Sequence, residues 1–320
     1  MCYTFKMRNA ETNIGKCRLC DRISELQNSH ILPAFAFRWL KKRGITGHLR
    51  SAINPNRRSQ DGIRMYLLCK SCEESFGNHE RSFSSHAFYP AVNENWSGEY
   101  KKWLLKFCVS VSWRVLVSRS EESSKLAFTD EQERSMLSAE SIWKEFLLGQ
   151  SESPRSFVQQ IVLWGKITNS TDPKMPQNIN RYLSGPIEMD IISTSDFLAT
   201  FVKLGPFMIF GIVQQGKETW HGTQVKVNGG RIFEAKIKLP HNLLGYIRTR
   251  ANDILKLSEN LSDSQMAQIE NDVTLNIPNI SNSPQFKSML ADAELFGLEA
   301  ITTLRKPKKS HSILIEATQT

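Results

Sequence analysis

Leu67-Leu68-Cys69-Lys70-Ser71-Cys72-Glu73-Glu74-Ser75-Phe76-Gly77-Asn78-His79-Glu80 joins an apolar run to a Cys-x-x-Cys pair and then to a helix-like spacing of residues. A second pair, Cys17-Arg18-Leu19-Cys20, precedes it with 48 residues between. A two-residue spacer lets both thiolates of a pair turn towards one point, and two such pairs complete a tetrahedral set of four sulfurs, the pattern of a structural zinc site. A redox role for either pair is the alternative, and the repetition of the same form argues against it. Six cysteines in 320 residues do not make a disulfide scaffold. Cys2 and Cys108 fall outside the scheme, Cys108 at a core-like position on a helix.

A closed four-thiolate site explains folding and leaves no open position for chemistry. Two segments beside the pairs carry other functional groups: Gln27-Asn28-Ser29-His30-Ile31-Leu32-Pro33, and the stretch that follows Cys72. On a helix Glu73, Phe76 or Gly77, and Glu80 share a face, so two carboxylates can point one way. The residues alone leave other roles open. His30 could pack in a core, Glu73 could be a first-turn acid favoured by the helix dipole, and His79 is a ligand candidate beside Glu80.

In order and spacing, these pieces resemble the HNH endonucleases of the ββα-metal type braced by a zinc ribbon. The resemblance rests on Cys17/Cys20, His30-Ile31-Leu32-Pro33, and Cys69/Cys72 with Glu73, and covers about residues 16–90. Ser-His-Ile-Leu-Pro, Leu-Leu-Cys-Lys-Ser-Cys-Glu, Glu80 and Ser112-Trp113-Arg114 extend it, more weakly, towards uncharacterised bacterial HNH-like proteins up to about residue 120. It implies hydrolysis of phosphodiester bonds with a divalent cation, Mg²⁺ or Mn²⁺, and His30 as general base. It places Glu73 at the helical metal-ligand position, with Glu80 as a second ligand or as a group that fixes His30 through a bridge. It also implies a structural Zn²⁺ on Cys17, Cys20, Cys69 and Cys72. The chain departs from the family at two points: Ser29 stands where Asp or His often precedes the base, and Asp61–Leu68 holds no asparagine. Glu73 and Glu80 would then make up a His-Glu-Glu site.

Charge fits either a polyanionic partner or a solvated basic face. The chain carries 41 Lys+Arg against 32 Asp+Glu, net +9, and residues 1–120 hold 20 and 9 of these, leaving the remainder slightly acidic. Arg38, Lys41, Lys42, Arg43, Arg57, Arg58 and Arg64 lie between His30 and the second pair and are the expected phosphate contacts, with Lys101, Lys102 and Lys106 as an extension. DNA is favoured over RNA as the partner. No run is apolar enough for a membrane span, and Met1–Arg8 lacks a signal-peptide core, so a cytoplasmic location is expected.

The expected fold class is α+β: a ββα-metal zinc-ribbon domain over residues 1–95, a helical connector over 96–150, and a mixed, largely antiparallel sheet domain over 151–320. Apolar residues at three- and four-residue steps predict a helix over Glu99–Ser118, with Arg114 on its polar face, and Thr129-Asp130-Glu131-Gln132 predicts a capped helix start. Residues 35–43 read as a short helix ending at Gly44, and 54–62 as a mobile basic loop. Strands are expected at 156–167, 187–193, 207–214, 224–227 and 232–239, the last two joined at Asn228-Gly229-Gly230. Residues 247–271 read as helix, and those after Lys306 as peripheral. The accessory region is expected to bind a regulatory protein or a second copy of the chain. A bacterial HNH-like setting implies defence against phage or mobile elements. The rival reading is a non-catalytic zinc-ribbon module that binds nucleic acid or protein.

Overall fold

The computed structural model describes residues 13–50, 54–59, 61–120, 128–217, 219–232 and 237–302. Cys2, the segment 233–236 and the stretch after Lys306 lie outside them. The fold is α+β with antiparallel sheets. No helix among the described residues is long and apolar enough to cross a membrane.

The amino-terminal part is built on a three-stranded sheet in the order β1-β2-β5. Its strands are β1 (Ile14–Lys16), β2 (Ile23–His30) and β5 (Arg64–Cys69), all paired antiparallel, with His30 opposite Arg64 and Leu26 opposite Cys69. Between β2 and β5 lie α1 (Ala34–Arg43) and a small ribbon of β3 (Leu49–Arg50) and β4 (Arg58–Ser59). Helix α2 (Lys70–Phe83) leaves β5 directly and passes through one π-turn, Ser84–Phe88, into α3 (Tyr89–Val92). The 54–62 segment is thus part ribbon, and it docks on the far end of the chain: Arg58 binds Asp272 at 2.7 Å, Arg50 donates to Gln265 at 2.7 Å, and Asn56 bonds the backbone of Asn260 and Ser262.

After β6 (Glu99–Tyr100) comes α4 (Lys102–Ser120), the centre of the molecule. From Leu104 to Ser118 every side chain except that of Lys106 is buried, as expected of a helix apolar nearly all round. Its polar exceptions are satisfied internally. Ser112 donates to Gln159 at 2.7 Å, and Lys106 donates to the Phe146 carbonyl. Arg114, expected on a solvated face, is 1% exposed and lies between α2 and β2. Helix α5 (Asp130–Leu147) starts with the expected box, Thr129 and Gln132 each capping the other's backbone.

The four-stranded sheet runs β7-β10-β9-β8, from β7 (Gln159–Leu163), β8 (Ile187–Ser193), β9 (Leu198–Leu204) and β10 (Phe207–Gln214). One face meets α4. The other is covered by α6 (Ile179–Ser184) and α7 (His241–Glu259) through Tyr182, Phe201, Phe210, Leu243 and Ile247. Strand β9 is buried along its whole length, so it shows no polar alternation, and its Lys203 donates to the carbonyls of Leu183, Pro186 and Gly205.

Two further expectations change. The Asn228–Gly230 turn does not join two long strands: β11 (Gly230–Arg231) pairs with β6, and a side chain at Gly229 would stand 2.5 Å from the Tyr100 carbonyl. The glycine serves close backbone approach rather than a hairpin. The predicted 247–271 helix breaks at Ser262, whose hydroxyl caps α8 (Asp263–Leu275). Helices α9 (Ile277–Ile280), α10 (Pro284–Phe296) and α11 (Glu299–Thr302) complete the described chain.

One apolar core runs from Cys17 and Phe76 through α4 and α5 to Ile161, Val202 and Phe207, with no break at residue 95 or 150. Residues of the 96–150 segment, among them Trp113, Trp143 and Phe146, are part of this core. Arg114→Leu is expected to destabilise the whole chain by at least about 2 kcal/mol in urea unfolding, because Glu80 and the His30 carbonyl lose their partner.

Candidate functional site

Cys17 and Cys20 sit in the turn between β1 and β2, and Cys69 and Cys72 span the junction of β5 with α2. Pairing of β2 with both neighbours brings the two ends together, and the four sulfurs lie within 4.8 Å of one another. Cys20 Sγ and Cys69 Sγ are 3.7 Å apart, close to the roughly 3.8 Å edge of a tetrahedron with about 2.3 Å metal–sulfur bonds. Donors surround the set: Cys69 N–H points at Cys17 Sγ at 3.3 Å, and Arg22 Nε at Cys20 Sγ at 3.4 Å. Burial raises the thiols of Cys17 and Cys72, whereas at Cys69 the Ser71 hydroxyl and the Cys72 N–H outweigh burial and bring the thiol down to about 6. This cluster could hold a metal ion such as zinc. Cys108 is apart from it, buried on α4.

His30 ends β2, and its imidazole turns to the face opposite α2. Nε2 lies 2.8 Å from Asp61 Oδ2, and Asp61 also pairs with Arg64 and accepts from the Gly62 N–H at 2.9 Å. Burial would raise the Asp61 carboxyl, but Arg64, His30 and Gly62 together hold it at about 2. A side chain at Gly62 would meet the Phe37 ring at 2.3 Å, so only glycine lets the Asp61 turn rest on α1. The result is a cavity of about 220 Å³ bounded by His30, Phe37, Arg38, Lys41, Asp61 and Arg64.

The expected His-Glu-Glu set is not brought together. Among the described residues only the four cysteines bring three or more His, Cys, Asp or Glu ligand atoms to one point. Glu73 accepts from Ser29 Oγ at 2.6 Å on the α2 side of β2. Glu80 pairs with Arg114 at 2.8 Å, and Arg114 donates to the His30 carbonyl at 2.9 Å, so Glu80 reaches His30 through a bridge. The physical reason is the pleat: adjacent Ser29 and His30 face opposite sides of the sheet, so the helix carboxylates address Ser29 and not the imidazole. His79, on the same helix, is held neutral with its pKa lowered to about 4 by burial and by the charges of Lys106 and Arg114.

The cationic residues divide. Arg38 and Lys41 line the His30 cavity, Arg64 stands at its edge, and Lys42 and Arg57 are exposed. Arg43 is buried against Trp39 and donates to Ser184 at 3.1 Å, which removes it from any surface, and Arg58 is neutralised by Asp272. Asp61 is the residue that sequence reasoning missed. Its only signal was an acid followed by glycine in an otherwise basic loop.

No family model, curated protein or solved structure matches the chain.

The purified chain is expected to carry about one zinc per molecule by elemental analysis. Cys72→Ser or prolonged chelation should remove it and lower the melting temperature by several degrees. A second measurement concerns His79. The unfolded chain binds its proton near 6.5 and the folded chain only near 4, so stability falls as pH drops from 6.5 to 4 and levels off below. Urea unfolding at pH 7 and pH 4.5 should show His79→Gln losing roughly 2 kcal/mol less than the parent.

Proposed function

We propose that the chain hydrolyses phosphodiester bonds in nucleic acid, DNA before RNA, at His30. The observation that carries this reading is an imidazole backed by a carboxylate inside a cavity bordered by three cations. With Asp61 Oδ2 2.8 Å from Nε2, a proton held on that nitrogen would leave the lone pair on Nδ1, which can take a proton from water as that water attacks phosphorus. Arg38, Lys41 and Arg64 suit the non-bridging phosphate oxygens and the charge that develops on them. Asp61 stays ionised across the neutral range, so it can stabilise the imidazolium that forms.

The HNH resemblance supports the same reaction class and would add a divalent cation. Glu73 and Glu80 do not fit as its cage beside His30, since their carboxylates are taken by Ser29 and Arg114, and no step is routed through them. Zinc on the four thiolates has a folding role in this reading, because a closed set offers no open position. On the resemblance alone, the setting proposed is defence against phage or mobile elements, with the carboxy-terminal half as the regulatory part.

One observation favours a second reading, a module that binds nucleic acid without cutting: both helix glutamates are spent on structure. Cleavage of plasmid and of RNA, with Mg²⁺ or Mn²⁺ supplied, separates the two. The first reading expects His30→Ala to lose at least about 100-fold in rate and Asp61→Asn about tenfold or more, with binding retained. Arg38→Ala and Lys41→Ala should weaken binding and flatten its salt dependence by about one unit of slope each. Absence of cleavage, with His30→Ala binding as the parent does, would leave the second reading standing.

A further inference from the structure

Beside the His30 cavity, the outward face of the amino-terminal sheet carries an aromatic ring. Strand β5 pairs with β2 so that Arg64 stands opposite His30 and Tyr66 opposite Asn28. Successive outward positions of a strand lie about 7 Å apart. Tyr66 is therefore the next residue after Arg64 on the face to which the imidazole turns. It is also the diagonal neighbour of His30, at about 7–8 Å, a separation that aromatic and long side chains span.

Tyr66 is 53% exposed, whereas Leu67 and Leu68 after it are buried in the core. A single uncovered ring is ordinary by itself. Its neighbours give it a direction. On one side Arg38, Lys41 and Arg64 share the cavity with one carboxylate, Asp61, a local excess of positive charge that suits a phosphate. Across the pair of strands Asn28 is exposed, and its amide both donates and accepts, as the edge of a base requires. Charge for a phosphate, an open ring for a π-face and an amide for a base edge thus stand side by side on one face of β2 and β5.

The ring also bears on which nucleic acid fits. In a duplex each base is stacked between its neighbours and shows a protein only its edges, so a ring beside the phosphate cavity meets no π-face. An unpaired base can turn out and lie on the ring, and such stacking tolerates every base.

We propose that the His30 site takes single-stranded nucleic acid, with a phosphate in the cationic cavity and the adjoining base stacked on Tyr66. This rests on the nucleic-acid reading above and adds the substrate class to it. Tyr66 is a binding residue and takes no part in the bond that breaks.

Fluorescence anisotropy of the full chain at low salt, without added Mg²⁺ or Mn²⁺, tests it. The probes are a DNA strand of about 15 nucleotides, the RNA strand of the same sequence, and the blunt DNA duplex. At least one strand should bind about fivefold or more tightly than the duplex, and the tighter of the two names the backbone. Tyr66→Ala should weaken strand binding about tenfold and leave duplex binding unchanged. Tyr66→Phe keeps the ring and should bind as the parent does, which guards against a folding defect in the alanine variant. Arg38→Ala, by contrast, should weaken strand and duplex together. The proposal is overturned, with the nucleic-acid reading left in place, if the duplex binds as tightly as both strands, if Tyr66→Ala binds the strand as the parent does, if it loses strand and duplex alike, or if Tyr66→Phe loses as much as alanine. Binding of none of the three probes overturns that reading and this proposal with it.

Discussion

Arg114 is a cation shut away from water on the most buried helix of the molecule, and its compensation ties three elements together. Its guanidinium donates to the carbonyl of His30 at the end of β2, pairs with Glu80 on α2 and lies 5.3 Å from the Phe76 ring, while Nε turns back to the Ser110 carbonyl at 3.3 Å. Burying such a charge costs several kcal/mol and is tolerated only where its donors are met. The candidate site is therefore no appendage held by the cysteine cluster alone. The strand that carries His30 is fastened to the helix on which the four-stranded sheet packs, and loss of that fastening would be felt in both halves.

The same economy explains the uneven charge of the sequence. The excess of cations in the first third is not all available to a polyanion. Arg58 and His48 approach Asp272 at 2.7 and 3.9 Å, Arg18 pairs with Glu140 at 3.1 Å, and Lys144 reaches back to Asp21 at 2.5 Å. Asp272 and Glu140 of the later chain are spent on bases of the earlier one, and the Lys144–Asp21 pair joins the two segments in the opposite sense. Around the imidazole stand Arg38, Lys41 and Arg64.

How much of this was legible depends on whether a feature is local. The cysteine pairs, the Thr129–Gln132 cap, the α1 stop at Gly44, and strands β8 and β10 are written in short-range spacing, and each is found where that spacing puts it. Strand β9 was not legible, because a strand buried on both faces has no alternation and Lys203 in its middle reads as solvent-facing. Helix α10 escaped as well, although Ser283-Pro284 is a good start signal, with the serine accepting from the Phe286 N–H. Arg114 was misplaced for a related reason: periodicity reports which residues could face water, whereas its partners come from elements 34 and 84 residues away.

The site shows the same division at finer scale. Spacing after Cys72 put Glu73 and Glu80 on one face of a helix, and both lie on α2, but spacing along a helix does not say which side of a neighbouring strand it addresses. That is decided by the pleat of β2, in which Ser29 is 1% exposed beneath α2 and His30 turns outward. The inward position holds a hydroxyl that satisfies Glu73, so the helix side of the sheet is closed by hydrogen bonds. The outward position holds the imidazole, so whatever charge the site uses must come from α1 and the turn before β5. Asp61, Arg38 and Lys41 supply it from an insertion between the two strands, a part of the chain whose placement only the three-dimensional arrangement reveals, and Arg64 adds to it from the first position of β5.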